Sequence, residues 1–270
     1  MTELVVEAPG WATTLQDGGR RGYAALGVPP SGALDEPQRQ LLNRLVGNPP
    51  DAAVIETLGG LRVHTSAPAI VATSSERAPI AVRAGVATSV EPAPDELWGY
   101  LAVRGGIAVE PILGSRSTES RSGLGPPPIT AGTTLPIGPD PGAPVVADHA
   151  PPPHREPPVV GVWPGPRLSW FSEDAMSVLT SAAWTVSGDA SRVGVRLDGP
   201  ALRRRIPGEL PSEGVLLGAI QVPPDGRPVV MLADHPTTGG YPVVAVVDPA
   251  GIPRLVQSRP GSTVRFRVVQ

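Results

Sequence analysis

Glycine (32) and proline (36) together fill about a quarter of the 270 positions, and they fall between apolar runs instead of forming a low-complexity tract. Such punctuation leaves little room for long helices and favours many turns joining short strands. The runs VVMLA (229–233) and VVAVV (243–247) are short, β-branched and bounded by turn residues, which is the pattern of buried strands. At the C-terminus Val264, Phe266 and Val268 alternate with Arg265 and Arg267, as in a strand with one buried face. Aromatic residues are only 4% of the chain, so Val, Leu, Ile and Ala must supply the core.

Two helices are expected. One spans 35–46, with Leu41, Leu42 and Leu45 on one face and Gly47 as its stop; the other spans 172–183, with Ser172 as N-cap. Many strands with few helices imply closed or sandwiched β-sheets. The proline-rich stretch 139–158 reads as a linker between units 1–138 and 159–270. A faint repeat supports that division: VVEAPG (5–10) is echoed by VGVWPG (160–165), Gly27-Val28 by Gly194-Val195, and Glu56 by Glu213.

The chain has no lysine and no cysteine, so all 22 basic residues are arginine. These absences exclude a Schiff base, a covalently attached biotin, a P-loop lysine, a thiol nucleophile, a disulfide framework and a thiolate metal site. The four histidines show no ligand spacing, so no metal is expected. A net charge of −3 gives no electrostatic case for nucleic acid, and Arg203–Arg205 read as a solvated run. No leader pattern or long apolar run is present, which leads us to expect a soluble cytoplasmic protein.

In the first half, Gln16, Asp17, Arg20 and Tyr23 cluster around glycines in a loop. That loop presents groups for a small polar substrate, with Arg20 as a bidentate anchor; an Asp17–Arg20 pair pinning the loop is an equal alternative. Ser31, Gly32 and Asp35 read as a turn into a helix N-terminus whose amides favour an anion, although Asp35 is more simply the N-cap. Arg104 follows a strand, and Ser115 and Arg116 add a hydroxyl and a guanidinium in GSRST (114–118).

In the second half, Glu213, Gln221, Asp225, Asp234, His235 and Thr237 sit at strand ends and turns. Asp225-Gly226 between two strands is foremost a hairpin turn. Asp234, directly after a strand, and the segment Thr237, Thr238, Gly239, Gly240, Tyr241 are the stronger candidates, because glycines let a ligand approach the main chain. Arg192 and Arg196 are anion-binding candidates. His235 has the pKa range of a general base, yet a lone histidine is more often structural.

Six ordered blocks then carry a resemblance: TLQDGGRRGY (14–23), GVPPSGALD (27–35), NRLVGNP (43–49), RGGIAVEPILGSRST (104–118), RVGVRLDGP (192–200) and the segment 211–247. Together they resemble the biotin-dependent carboxyltransferase-like family that includes the C subunit of 5-oxoprolinase and KipA. In the block at 192 the family's usual preceding aspartate, Met and Tyr are absent, Val193 and Val195 standing in the latter positions. The resemblance implies a mainly β fold of two cyclophilin-like β-barrel units with a few short helices. It implies a subunit of an ATP-dependent 5-oxoprolinase, which opens the lactam of 5-oxoproline to glutamate; of the residues read above, Asp234, Asp17 and Glu213 are the candidate catalytic carboxylates. ATP would be held at a site shared with a partner, the expected partners being a KipI-like B subunit and a LamB/YcsF-like A subunit. Biotin could only visit this chain from elsewhere. The alternatives are carboxyl transfer from carboxybiotin to a urea or amide, and a KipA-like regulatory protein that counters a kinase inhibitor.

Overall fold

The computed structural model describes residues 2–145, 148–151, 159–208 and 210–269. The chain divides into two compact units, Met1–Arg20 with Ser31–Pro153 and Arg21–Pro30 with His154–Gln270. The expected linker, 139–158, lies partly outside the described residues. Its described part is strapped to the first unit: Arg104 holds Asp140 and the Ala143 carbonyl, and Arg77 exchanges bonds with Ala150 and Pro151.

The first unit contains strands β1 (Glu3–Pro9), β2 (Thr14–Gln16), β3 (Val54–Thr57), β4 (Leu61–Thr65), β5 (Ala69–Thr73), β6 (Ile80–Val82), β7 (Thr88–Val90), β8 (Gly99–Val103) and β9 (Thr134–Pro136). They form two antiparallel sheets, ordered β7-β4-β1-β9 and β2-β3-β8-β5-β6. Leu4 and Val6 of β1 and Leu61 and Val63 of β4 point inward to a core shared with Leu15, Ile55, Val71 and Leu101. The intervening Arg62 and His64 face outward and pair with Glu7. Every residue of β3 and β8 is buried, because the faces of these strands are covered on both sides. Helix α1 (Glu36–Leu45) packs on β8 and β5. Its N-cap is Asp35, whose carboxylate accepts the Gln38 N–H at 3.1 Å, and Gly47 follows its end. Leu42 and Leu45 are buried as expected, but Leu41 is only partly so, and Gln38, Arg39 and Asn43 are buried beside them.

The second unit contains β10 (Val159–Pro164), β11 (Trp184–Val186), β12 (Gly194–Asp198), β13 (Glu213–Gly214), β14 (Ala219–Gln221), β15 (Val229–Met231), β16 (Thr238–Gly239), β17 (Val243–Val247) and β18 (Thr263–Val268). Seven of them close into a barrel ordered β10-β17-β14-β15-β12-β11-β18, sealed by parallel pairing of β18 with β10. Closure leaves no free edge. Among the described residues the fold is thus mainly β with three short α-helices, closed into a barrel in this unit and arranged as paired sheets in the first. VVEAPG and VGVWPG prove to belong to β1 and β10, the opening strands of the two halves.

Two local expectations change. The second helix, α2, is only Ala175–Ser181 and starts after Asp174, because Ser172 is spent in a preceding turn that takes the Ala175 N–H on its carbonyl. Val264 and Phe266 are buried, but Val268 is exposed where the barrel ends. Helix α3 (Ile252–Val256) completes the unit. Among the described residues no helix is long and apolar enough to cross a membrane.

Candidate functional site

In the first unit the loop after β2 and the 112–118 loop are locked together. Asp17 Oδ1 accepts hydrogen bonds from the hydroxyls of Ser115 (2.6 Å) and Ser117 (2.7 Å) and from the Gly19 N–H (2.8 Å); Oδ2 accepts the Arg116 N–H at 2.5 Å. Burial alone would push the Asp17 pKa up, but these four donors outweigh it and hold the carboxylate below its ordinary 3.8. Three of these donors bind Oδ1 and one binds Oδ2. Asp17, expected to be catalytic, is thereby tied to both loops.

Arg20 is 2% exposed and donates to the Ser117 carbonyl. Gln16 Nε2 donates to Thr14 Oγ1 (2.9 Å) and the Thr118 carbonyl (3.0 Å), which fixes the orientation of the amide and buries Oε1 without a hydrogen-bond partner. Ser31, at φ +53°, turns its hydroxyl toward the same Thr118 carbonyl. The adjacent Gly32 lies so close to the 17–19 turn that a Cβ there would come within 3.0 Å of Gly19 N. Gln16, Asp17, Arg20, Ser31, Ser115 and Arg116, read as three separate segments in the sequence, thus converge, while Tyr23 groups with the second unit at the start of a short turn. The cluster is buried, and the bond shown for Arg20 runs to the main chain of the 112–118 loop.

The expected anion at the helix N-terminus belongs to the chain itself. The fully buried Glu56 Oε2 accepts the Leu34 N–H and the Tyr100 hydroxyl, each at 2.8 Å, and Tyr100 Oη accepts the Asp35 N–H at 2.9 Å. Burial, then the nearby Glu56 and Asp35 charges, raise the Tyr100 pKa well above 10.0, so the phenol stays protonated and donating. With Gln38 N–H taken by Asp35 and Ala33 N–H by the Asp17 carbonyl, the start of α1 is already satisfied. Arg104 is equally committed: Nε and Nη2 grip Asp140 at 2.8 and 2.6 Å, and Nη1 donates to the Val46 carbonyl.

In the second unit Asp234 is 0% exposed and its two oxygens face Arg192 Nε at 2.9 Å and Nη2 at 3.1 Å. Arg192 is itself only 5% exposed. This is a buried bidentate ion pair, in which Asp234, expected to be catalytic, and Arg192, expected to bind an anion, are committed to each other. Arg196 pairs with Asp225 at 3.0 Å near the surface, and Asp225 also takes the Arg227 N–H, as its hairpin turn requires. His235 is buried with Nδ1 2.7 Å from the Pro236 carbonyl, so Nδ1 carries the proton.

What remains open is the β13–β16 ribbon. Glu213 pairs with Gly239 and Gly214 with Thr238; Leu210 N–H to the Gly240 carbonyl and Val215 N–H to the Thr237 carbonyl extend it. Gln221, 4% exposed, reaches the Tyr241 carbonyl at 3.3 Å, and a Cβ on Gly239 would lie 2.9 Å from its Nε2, so the main chain can approach only without a side chain. Arg167 Nε and Nη2 both donate to Glu213 Oε2, at 2.9 and 2.6 Å, and Glu213 raises the Arg167 pKa. The Arg204 guanidinium lies 5.7 Å from the Tyr241 ring centroid. Glu213, with 23% of its side chain exposed, is the expected catalytic carboxylate that solvent and a substrate can reach. The ribbon brings together Glu213, Gln221 and Thr237–Tyr241, and offers a carboxylate, a guanidinium and glycine backbone to a small polar molecule.

Residues 26–268 match the model of the carboxyltransferase domain, subdomains A and B. The chain belongs to this family. Among relatives of this carboxyltransferase domain, the C subunit of 5-oxoprolinase from Escherichia coli (strain K12) is 32% identical over 97% of this chain and 90% of its own. The crystal structure of TTHA0988 superposes with a TM-score of 0.86 at 35% identity, covering 99% of this chain and 55% of that one. The K. lactis urea amidolyase superposes with a TM-score of 0.88 at 29% identity, covering 99% of this chain and 19% of that one. The chain therefore spans about half of one solved neighbour and a fifth of the other.

Four contributors to these clusters in the carboxyltransferase domain escaped the sequence reading of sites: Arg167, Arg204, Ser117 and Tyr100. Arg167 lies two residues after the WPG echo of the repeat, a signal that could have drawn attention to it. Arg204 was hidden within an arginine run, Ser117 within GSRST, and nothing local marks Tyr100 as the partner of Glu56.

Proposed function

We propose that this carboxyltransferase domain acts as the C subunit of an ATP-dependent 5-oxoprolinase, contributing to opening of the 5-oxoproline lactam to L-glutamate together with partner chains. The observation that carries this reading is the alignment with the E. coli relative, which runs through 97% of this chain and 90% of that one. The partners are a KipI-like B subunit and a LamB/YcsF-like A subunit, in the cytoplasm.

The β13–β16 ribbon is the face offered to substrate. Arg167 presents positive charge toward a carboxylate or a developing oxyanion, and the 237–241 backbone brings peptide dipoles close because Gly239 and Gly240 add no side chain. Glu213 orients Arg167 through both of its bonds and supplies an acceptor for a substrate N–H or for water. ATP is a co-substrate of this reaction. The described residues of this chain do not fit a triphosphate: there is no lysine, and the amides opening α1 are occupied by Glu56, Tyr100 and Asp35. In this reading the phosphates belong mainly to a companion chain.

The test is to reconstitute the chain with its KipI-like and LamB-like partners and measure glutamate formed from 5-oxoproline with and without ATP. Activity that needs all three chains and ATP, and that falls at least tenfold in Glu213→Gln without loss of complex, is the expected result. A well-formed complex that makes no glutamate overturns the reading. The likeness to K. lactis urea amidolyase supports a second one, carboxyl transfer from a biotin carrier. No residue of these 270 can carry biotin covalently, so that reading requires a carrier supplied from elsewhere, and bicarbonate-dependent carboxylation of urea would favour it.

A further inference from the structure

A cleft of about 440 Å³ opens in the first unit, away from both side-chain clusters described above. Ala69, Ile70, Ala81, Val82 and Ile137 supply the apolar part of its lining, and polar atoms, the Arg104–Asp140 pair among them, supply about as much again. Its size falls in the range of small-molecule sites. The two partners of the pair differ sharply in exposure. Arg104 keeps only 14% of its side chain exposed, whereas Asp140 keeps 65%.

Arg104 is anchored from behind by the carbonyls of Val46 and Ala143, so its guanidinium would stay in place if Asp140 left. Asp140 presents its carboxylate to the Arg104 fork through two bonds, at 2.8 and 2.6 Å, and sits in the sequence Gly138-Pro139-Asp140-Pro141-Gly142. Among the described residues that carboxylate also accepts the Gly142 N–H at 2.8 Å, two residues away. A carboxylate is therefore already docked bidentately on the guanidinium, held by the exposed end of a surface turn. This is the geometry with which arginine recognises any carboxylate.

We propose that this cleft is a binding site for a small carboxylic acid with a compact aliphatic or lactam body, and that Asp140 occupies the arginine fork as an intramolecular competitor. The ligand carboxylate displaces Asp140 from Nε and Nη2 of Arg104, and its body covers Ile70, Val82 and Ile137. The displaced Asp140 turns to solvent, where it already has most of its surface. 5-Oxoproline is a member of this ligand class, but the site is separate from the ribbon and does not depend on the oxoprolinase reading.

The experiment is a methyl NMR titration of the whole chain, observing Ile70, Val82 and Ile137, with isobutyrate, 5-oxoproline and the neutral isostere isobutyramide. Saturable shifts at these methyls with the two carboxylates and none with the amide are expected. Asp140→Ala removes the competitor and tightens carboxylate binding by roughly two- to fivefold, the range over which exposed ion pairs act. Ala81→Phe fills the cleft from a wall position, leaves the Arg104–Asp140 pair intact, and abolishes the shifts. The proposal is overturned if the carboxylates give no saturable shifts in either the parent or Asp140→Ala, if the amide binds as well as the acids, or if Asp140→Ala weakens binding. Failure here leaves the glutamate-forming assay untouched, so the two ideas fall separately.

Discussion

Replacing Asp234 by alanine removes two carboxylate oxygens bound to Arg192 in the interior of the second unit. Arg192 is 5% exposed and cannot swing into water without opening the barrel at β12. Breaking a buried pair from one side typically costs about 3–5 kcal/mol, since the surviving charge stays desolvated. For a unit of this size that corresponds to a fall in Tm of about 10 °C or more. The assay is urea and thermal unfolding followed by circular dichroism and by the fluorescence of Trp184, which is fully buried in the same barrel. The double variant Arg192→Met, Asp234→Leu should recover most of the loss, because apolar side chains of similar volume can replace a buried pair at little cost. A catalytic Asp234 predicts the opposite pattern. Unchanged stability in Asp234→Ala with activity abolished would refute the structural assignment.

Asp17 links stability to pH in a direction set by its lowered pKa. Because its folded-state pKa lies below the unfolded 3.8, its stabilisation is present above that value and is lost as pH falls through the folded pKa. Asp17→Asn should therefore lower stability at neutral pH and flatten the acid limb of the stability curve; parallel curves for the two proteins would contradict the four-donor geometry. Tyr100→Phe deletes the hydroxyl between Glu56 and the Asp35 N–H and should cost about 1–3 kcal/mol by chemical denaturation. Glu213→Gln should leave the unfolding free energy within about 0.5 kcal/mol of the parent while reducing glutamate formation in the reconstituted complex, and a reduction in stability alone would argue against a substrate-facing role.

Elements governed by neighbouring residues were legible. Asp35 as cap with Gly47 as stop bounds α1, Asp225-Gly226 makes the hairpin turn, and the β-branched run at 243–247 is β17 to the residue. The convergence of 16–20 with 115–116 was not legible, since the contact joins positions about a hundred residues apart. What sequence could not reveal is which carboxylates are satisfied. Asp17, Glu56, Asp234 and Glu213 look alike in the chain; three are buried among donors, and only Glu213 is left within reach of solvent. The same limit misplaced the anion at α1, where a pattern that invites a ligand is filled by a glutamate from β3.

The strand that seals the barrel carries a liability. β18 lies between β10 on one side and β11 on the other, so its detachment uncovers two strand edges at once. Its partner β10 is about a hundred residues earlier, which makes this pairing among the slowest to form. Until it forms, β10 and β11 present unpaired main chain to any passing strand, including those of other copies. Refolding yield should therefore fall steeply with protein concentration, through aggregates joined at the place where each barrel waits for its last stave.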